Sequence, residues 1–166
     1  MVYAKTLLFT VLVPGTVVVL VPHWIRAAAN GAPAGAWLQA PALLLGLAGI
    51  VIYLWCAFDF ARAAGTPAPI DPPKELVARG LYRYSRNPMY VGVLSLIAAQ
   101  ALFFASQPTL LYAALVFLLF HCFVIFYEEP TLARSFGATY RRNITTVPRW
   151  IPVLRPPDRD SADASD

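Results

Sequence analysis

WLQAPALLLGLAGIVIYLWCAF, residues 37–58, carries no charged side chain and decides the class of fold. At about 1.5 Å rise per residue, a helix of this length reaches roughly 33 Å, enough to cross the ~30 Å hydrocarbon core of a bilayer. Three further charge-free stretches accompany it, at 6–21, 89–105 and 108–127. The first and third are at the short end of the spanning range and should run steeply. Pro14-Gly15 interrupts the first and predicts a kink of the kind a bilayer tolerates. Gln39 and Pro41 fall in the first turn of the second, where proline costs little. Ala42 and Gly46 have small-xxx-small spacing and Gly49 lies three residues on. That pattern reads either as a close helix contact or as ordinary small residues in a bundle.

The whole chain agrees. Of its 166 residues, 58% are hydrophobic and 13% charged, and mean hydropathy is +0.59. It is too apolar for disorder, and two cysteines cannot make a disulfide scaffold. One soluble core of this size could not hide so much apolar surface. The expected fold is all-α: a polytopic membrane protein with about four transmembrane helices plus a cytoplasmic C-terminal amphipathic helix. Residues 1–155 are expected to form a single domain, and the polar, Ala/Ser-rich stretch 156–166 a loose tail. Cys56 and Cys122 lie within spans and read as small apolar packing. No metal, disulfide or nucleic-acid partner is expected. The start carries one lysine and no clear cleavage site, the alanines at 27–29 being the nearest candidate, so 6–21 reads as a retained helix.

Placing the basic residues sets an expected topology. The loop 22–36 carries one, Arg26. The loop 59–88 carries Arg62, Lys74, Arg79, Arg83 and Arg86. The segment after Tyr127 carries Arg134, Arg141, Arg142, Arg149, Arg155 and Arg159, and Lys5 precedes the first span. Twelve therefore face one. The positive-inside rule puts both termini and the 59–88 loop in the cytoplasm, with a tight external turn around Ser106-Gln107-Pro108.

Polar chemistry concentrates on that cytoplasmic side, in two segments. Residues 80–92 read GLYRYSRNPMYVG and lead straight into the third span. Asn87-Pro88 has the look of an N-cap followed by a first helical position. The free N–H groups there would suit a carboxylate or phosphate, reinforced by Arg83 and Arg86; the plainer reading is a helix start with arginines on lipid head groups. Residues 127–140 read YEEPTLARSFGATY. Glu128 and Glu129 close the fourth span at the negative end of a helix and need a cation, either an arginine of the chain or a cationic ligand. His121, seven residues earlier, falls on the face of Glu128. It faces a cavity or is a neutral histidine bonded to a neighbouring helix. Leu132, Phe136 and Tyr140 predict an amphipathic helix that lies on the membrane surface or packs back over the site. The proline-rich stretch 65–75 reads as a lid or a spacer. Residues 147–152 are likewise extended, and their Arg149 could hold an anionic group or a lipid phosphate. Such a boundary site suits a charged cofactor from water and an apolar substrate from the bilayer.

At these two segments the chain resembles a known family. Arg86-Asn-Pro-Met-Tyr-Val-Gly92, preceded by Gly80-Leu-Tyr82, is similar to the Arg-His/Asn-Pro-x-Tyr-x-Gly signature of integral-membrane methyltransferases, which include isoprenylcysteine carboxyl methyltransferases and phospholipid N-methyltransferases. Glu128-Glu129, Leu132, Phe136-Gly137, Tyr140 and Val147-Pro148 resemble the family's C-terminal pattern, and Gly65-Thr-Pro into Leu76-Val77 looks like bacterial members. The resemblance covers about 44–153. It implies S-adenosylmethionine as cofactor, a lipophilic acceptor taken from the bilayer among membrane lipids, and a bacterial inner-membrane location with both termini cytoplasmic. By position, Asn87, Pro88, Tyr90 and Glu128 or Glu129 would bind the cofactor, joined by Tyr82, Arg86 and His121. Glu129 and Arg149 are the catalytic candidates: Arg149 to orient a carboxylate, a glutamate to serve as base for an amine. An isoprenoid or fatty carboxylate is the favoured acceptor and a lipid amine the other. Asn87 stands where the carboxyl methyltransferases have His, so a role that needs an imidazole is not implied. Two other readings compete. Membrane sterol reductases share a similar loop and bind NADPH, but commonly follow it with Glu where this chain has Val93. A non-catalytic membrane protein such as a transporter would be expected to place its polar residues near mid-membrane.

Overall fold

The computed structural model describes residues 14–29, 32–62 and 79–153. A π-helix, Gly15–Leu20, runs into α1, Val21–Ala28. Then follow α2, Ala36–Arg62; a 3-10 turn, Gly80–Arg83; α3, Pro88–Phe103; and α4, Gln107–Phe123. A second π-helix, Val124–Glu128, joins α4 to α5, Glu129–Thr146. No strand occurs among the described residues, so the all-helical expectation stands. Among the described residues, two helices are long and apolar enough to cross a membrane, Ala36–Phe60 and Gln107–Thr146; Gly15–Ala28 and Pro88–Phe103 are shorter apolar helices. Lys5, most of the first expected span, the proline-rich 65–75 stretch and the tail lie outside the described residues.

The loop expected at 22–36 is half helix, because the first helix runs on to Ala28. The kink expected at Pro14-Gly15 takes the form of the π-helix. There the Val21 N–H reaches back to the Thr16 carbonyl, which leaves the Val17 carbonyl without its α-helical donor. The Val18 carbonyl would be served by residue 22, which is proline and has no N–H. Both carbonyls find side chains on other helices: the Tyr112 hydroxyl donates to Val17 O at 3.0 Å, and Gln100 Nε2 to Val18 O at 2.8 Å. In an apolar setting a freed carbonyl must be satisfied this way, and these two bonds tie the first helix to α3 and α4.

The small residues of α2 do make a close helix contact. A Cβ on Gly49 would lie 2.9 Å from the Gly92 carbonyl oxygen, and one on Gly92 would lie 3.1 Å from that of Gly49. Backbone therefore meets backbone, and α3 lies against α2 along its inner face, with Ala42 and Ile97 buried. Val18, Val93, Ile97, Ala113 and Val116 form the core between the first helix, α3 and α4. The rest of α2 turns Leu43, Leu47, Ile50 and Leu54 outward. Exposed Trp37 stands at one end of that stripe, and at the other Arg62 sits 4.5 Å over the Phe58 ring. About 32 Å separates residues 37 and 58 along such a helix. Aromatic residues at both ends of a span that long fit the two interfaces of a bilayer.

Ala105, at φ 45°, turns the chain between α3 and α4. Ser106 caps α4, accepting from the Thr109 N–H at 3.3 Å, so the tight turn expected there is present. In α5, Gly137 leaves helical geometry at φ 49°, ψ −117°. Leu132 and Phe136 precede or meet this bend half-buried, and Tyr140 beyond it is buried. The Arg86 guanidinium opposes the rise that burial imposes on the Tyr140 hydroxyl, so this turn of α5 comes near the 80–92 segment.

Candidate functional site

The site begins at the foot of α3. Asn87 and Pro88 stand at N-cap and first position as their sequence predicts, but the Asn87 side chain makes no capping bond. Its Nδ2 donates instead to the Arg149 carbonyl at 3.1 Å. The physical reason is a strap. Val147 leaves α5 in extended geometry, and Pro148 and Pro152 prevent a return to helix. The strap lies along residues 84–87: Arg86 N–H donates to Pro148 O at 2.9 Å and Val153 N–H to Tyr84 O at 3.0 Å. The Ser85 hydroxyl lies within hydrogen-bonding distance of Arg149 O and Trp150 O, at 3.2 and 3.1 Å. With these carbonyls close at hand, the buried Asn87 amide donates to the strap rather than capping its own helix.

The two glutamates separate. Glu129 is surrounded by cations of the chain: Arg86 Nη1 lies 2.9 Å from Oε1, Arg149 Nε lies 2.7 Å from the same oxygen, and Arg149 Nη2 lies 3.0 Å from Oε2. Those bonds to Glu129 push Arg149 above its ordinary range. The cation the sequence demanded is thus supplied, for this glutamate, by arginines. Among the described residues, Glu128 takes one hydrogen bond, from the Tyr90 hydroxyl to Oε2 at 3.1 Å.

His121 does not share a face with Glu128. The π-helix between them holds an extra residue in its turn, and one inserted residue rotates everything after it by about 100°. His121 Nδ1 accepts from the Trp150 indole at 3.0 Å, which is the bonded-histidine reading with the strap, rather than a helix, as partner.

A cavity of about 540 Å³ opens beside these groups. Pro14 and Val17 of the first helix, Tyr53 and Phe60 of α2, and Leu119, Phe120 and Phe123 of α4 give it apolar walls. Tyr82, Arg86, Asn87, Tyr90 and Glu128 gather at its polar margin, beside Met89 and Val93. Of the residues singled out from sequence, those five line it. Pro88 is buried at the helix start, and His121, Glu129 and Arg149 are not in the lining; His121 bonds Trp150 of the strap, and Glu129 bonds Arg86 and Arg149. Burial first, and the Cys56 thiol second, push the Tyr82 hydroxyl well above the usual tyrosine range, so it stays a neutral donor. Arg86 Nε is buried and has no hydrogen-bond partner among the described residues.

Sequence reasoning missed Ser85 and Trp150, which anchor the strap, and the cavity aromatics Tyr53 and Phe120. Phe120 stacks on Tyr90 with ring centroids 4.6 Å apart, but nothing in a run of apolar residues marks that one as a wall. No cluster of three metal-ligating side chains occurs among the described residues.

The chain matches the family described as phospholipid methyltransferase over residues 39–139. Comparison with curated proteins returns no match, and comparison with solved structures returns none. The family match spans more than half of the chain, which therefore belongs to the phospholipid methyltransferase family.

Proposed function

We propose that this member of the phospholipid methyltransferase family binds S-adenosylmethionine at the polar margin of its cavity and transfers the methyl group to a lipid held against the apolar walls. The observation that carries the reading is the cavity itself, whose lining combines apolar side chains with Tyr82, Arg86, Asn87, Tyr90 and Glu128. Its volume lies in the range of small-molecule sites. The polar members include one group of each sign. Arg86, with a buried N–H that has no partner among the described residues, suits a carboxylate. Glu128, with one hydrogen bond, suits an ammonium group. An amino-acid moiety needs both. Tyr82, Asn87 and Tyr90 supply neutral polar contacts.

When bound, S-adenosylmethionine supplies an electrophilic methyl on a sulfonium. The chain's own part is to hold acceptor and donor in line, which can provide several kcal/mol of the barrier reduction, about 7–11 in the best-aligned intramolecular cases. Glu129 and Arg149, the catalytic candidates of the sequence, hold each other and Arg86, and so act on the site through its framework.

A lipid amine is the acceptor the geometry favours. The carboxylate acceptor expected from sequence relied on Arg149, which is committed to Glu129 and stands off the cavity wall. The family match, described as phospholipid methyltransferase, supports a phospholipid amine instead, which would meet the methyl group in its neutral form. The twelve-to-one distribution of basic residues supports a site on the cytoplasmic side of a bacterial inner membrane, with both termini inside.

The test is calorimetric binding of S-adenosylmethionine to the detergent-purified protein, with NADPH in parallel, followed by labelled-methyl transfer to phosphatidylethanolamine and to prenylated or fatty acids. Micromolar binding of the methyl donor and labelling of the amine are expected. NADPH binding alone would make the protein a reductase, binding of neither would make it non-catalytic, and labelling of the acids alone would restore the carboxylate acceptor.

A further inference from the structure

Glu128 and Glu129 are neighbours held very differently. Glu129 is fixed by three N–H donors from two arginines. Glu128, the one on the cavity wall, depends on the Tyr90 hydroxyl. It also closes a π-helical turn, whose hydrogen-bond pattern departs from the α-helical ladder on either side. The position of its carboxylate is therefore only as definite as that of the Tyr90 ring.

Tyr90 has rings against it from two parts of the chain. Phe120 of α4 stacks on it at 4.6 Å between centroids, and Trp150 of the strap is tilted against it at 6.4 Å. Trp150 is itself seated in α4, 5.2 Å from the Phe117 ring and hydrogen-bonded through Nε1 to His121 Nδ1 at 3.0 Å. An indole N–H can only donate, so the accepting Nδ1 is the unprotonated ring nitrogen. Neither His121 nor Trp150 lines the cavity.

We propose that His121 and Trp150 are positioning residues for the cavity's cation-receiving carboxylate. The imidazole fixes the indole, the indole and Phe120 together fix Tyr90, and Tyr90 fixes Glu128. The inference rests on the reading of the cavity as the cofactor site. It gives a role to a histidine that sequence placed among the cofactor's own contacts, and to a tryptophan that sequence passed over.

The test is a set of variants in the full-length protein, read by calorimetry with S-adenosylmethionine. His121→Leu removes the acceptor and Trp150→Phe removes the donor. Each should weaken binding about three- to tenfold, the effect of one hydrogen bond. His121→Asn, whose amide oxygen can stand near the Nδ1 position, should restore binding to within about twofold. In a Tyr90→Phe background, where the link to Glu128 is already cut, His121→Leu should add nothing, whereas a merely structural histidine would add its full effect. Full additivity, or wild-type binding in His121→Leu, overturns the proposal. If the wild type binds no S-adenosylmethionine, the proposed function fails, and the seat is judged by amide exchange at Arg86 and Val153, whose N–H groups bond the strap. Faster exchange in both His121→Leu and Trp150→Phe supports the seat, and unchanged exchange overturns it.

Discussion

Arg149 meets Glu129 fork to fork, with Nε 2.7 Å from Oε1 and Nη2 3.0 Å from Oε2. Both side chains keep some contact with solvent, 30% for the arginine and 20% for the glutamate, so the pair is neither a surface contact nor a fully buried one. It closes a loop of structure: Glu129 opens α5, Arg149 lies in the strap beyond that helix, and Arg86 joins them from the foot of α3. Glu129→Gln should therefore lower stability by about 1.5–3 kcal/mol, the range for hydrogen bonds to charged groups. Glu128→Gln should leave stability nearly unchanged and weaken S-adenosylmethionine binding at least tenfold. Thermal unfolding in detergent, beside calorimetry, separates the two; the opposite pattern would exchange the roles of the glutamates.

Arg149→Ala should lower stability and weaken cofactor binding together, because it frees Glu129 and the strap that adjoins Asn87. If it instead cut kcat with cofactor affinity intact, Arg149 would be an acceptor-orienting residue, as the carboxylate chemistry requires. Steady-state kinetics with both substrates varied decides between these outcomes.

Two glycines of α2 should behave oppositely. At Gly49 a methyl group would lie 2.9 Å from the Gly92 carbonyl oxygen, so Gly49→Ala must push α2 and α3 apart, at about 1–3 kcal/mol. At Gly46 the methyl would lie 3.5 Å from the Ala99 methyl, an ordinary contact. Gly46→Ala should be neutral or slightly stabilising, since alanine is the better helix former. Equal melting temperatures for the two variants would contradict the backbone-to-backbone contact.

Gly137→Ala has open space around it, yet its φ of 49° is one that side-chain-bearing residues rarely adopt. The expected cost is about 1–2 kcal/mol of local strain, or a straightened α5 that withdraws Tyr140 from Arg86. Proteolysis near residue 140 should quicken in this variant, and unchanged cleavage would mean that the bend is not needed.

The carbonyls left open around Pro22 give a compensation test. Gln100→Leu should destabilise by about 1 kcal/mol by leaving Val18 O unpaired. Adding Pro22→Ala supplies a backbone N–H to that region and should recover most of the loss. Additive losses in the double variant would show that the side-chain bond answers to something other than the missing proline donor.

The sequence by itself determined the all-helical character of this protein. Charge-free runs such as 37–58 can be satisfied as helices in lipid, and the small residues in α2 allowed a close helix contact without naming its partner. Helix-end chemistry singled out Arg86, Asn87 and the pair Glu128-Glu129, and the family resemblance added Tyr90. Tertiary structure decided the division of labour among them. Which glutamate faces the cavity depends on a π-helical turn, a difference of one residue per turn that apolar periodicity does not record. Whether Arg149 is free or engaged depends on a bend at Gly137 and on a strap pinned by carbonyls, and backbone groups carry no sequence signature. Residues 121 and 150, or 90 and 120, meet across folds of the chain, and the choice among many interchangeable aromatic residues is made by packing alone.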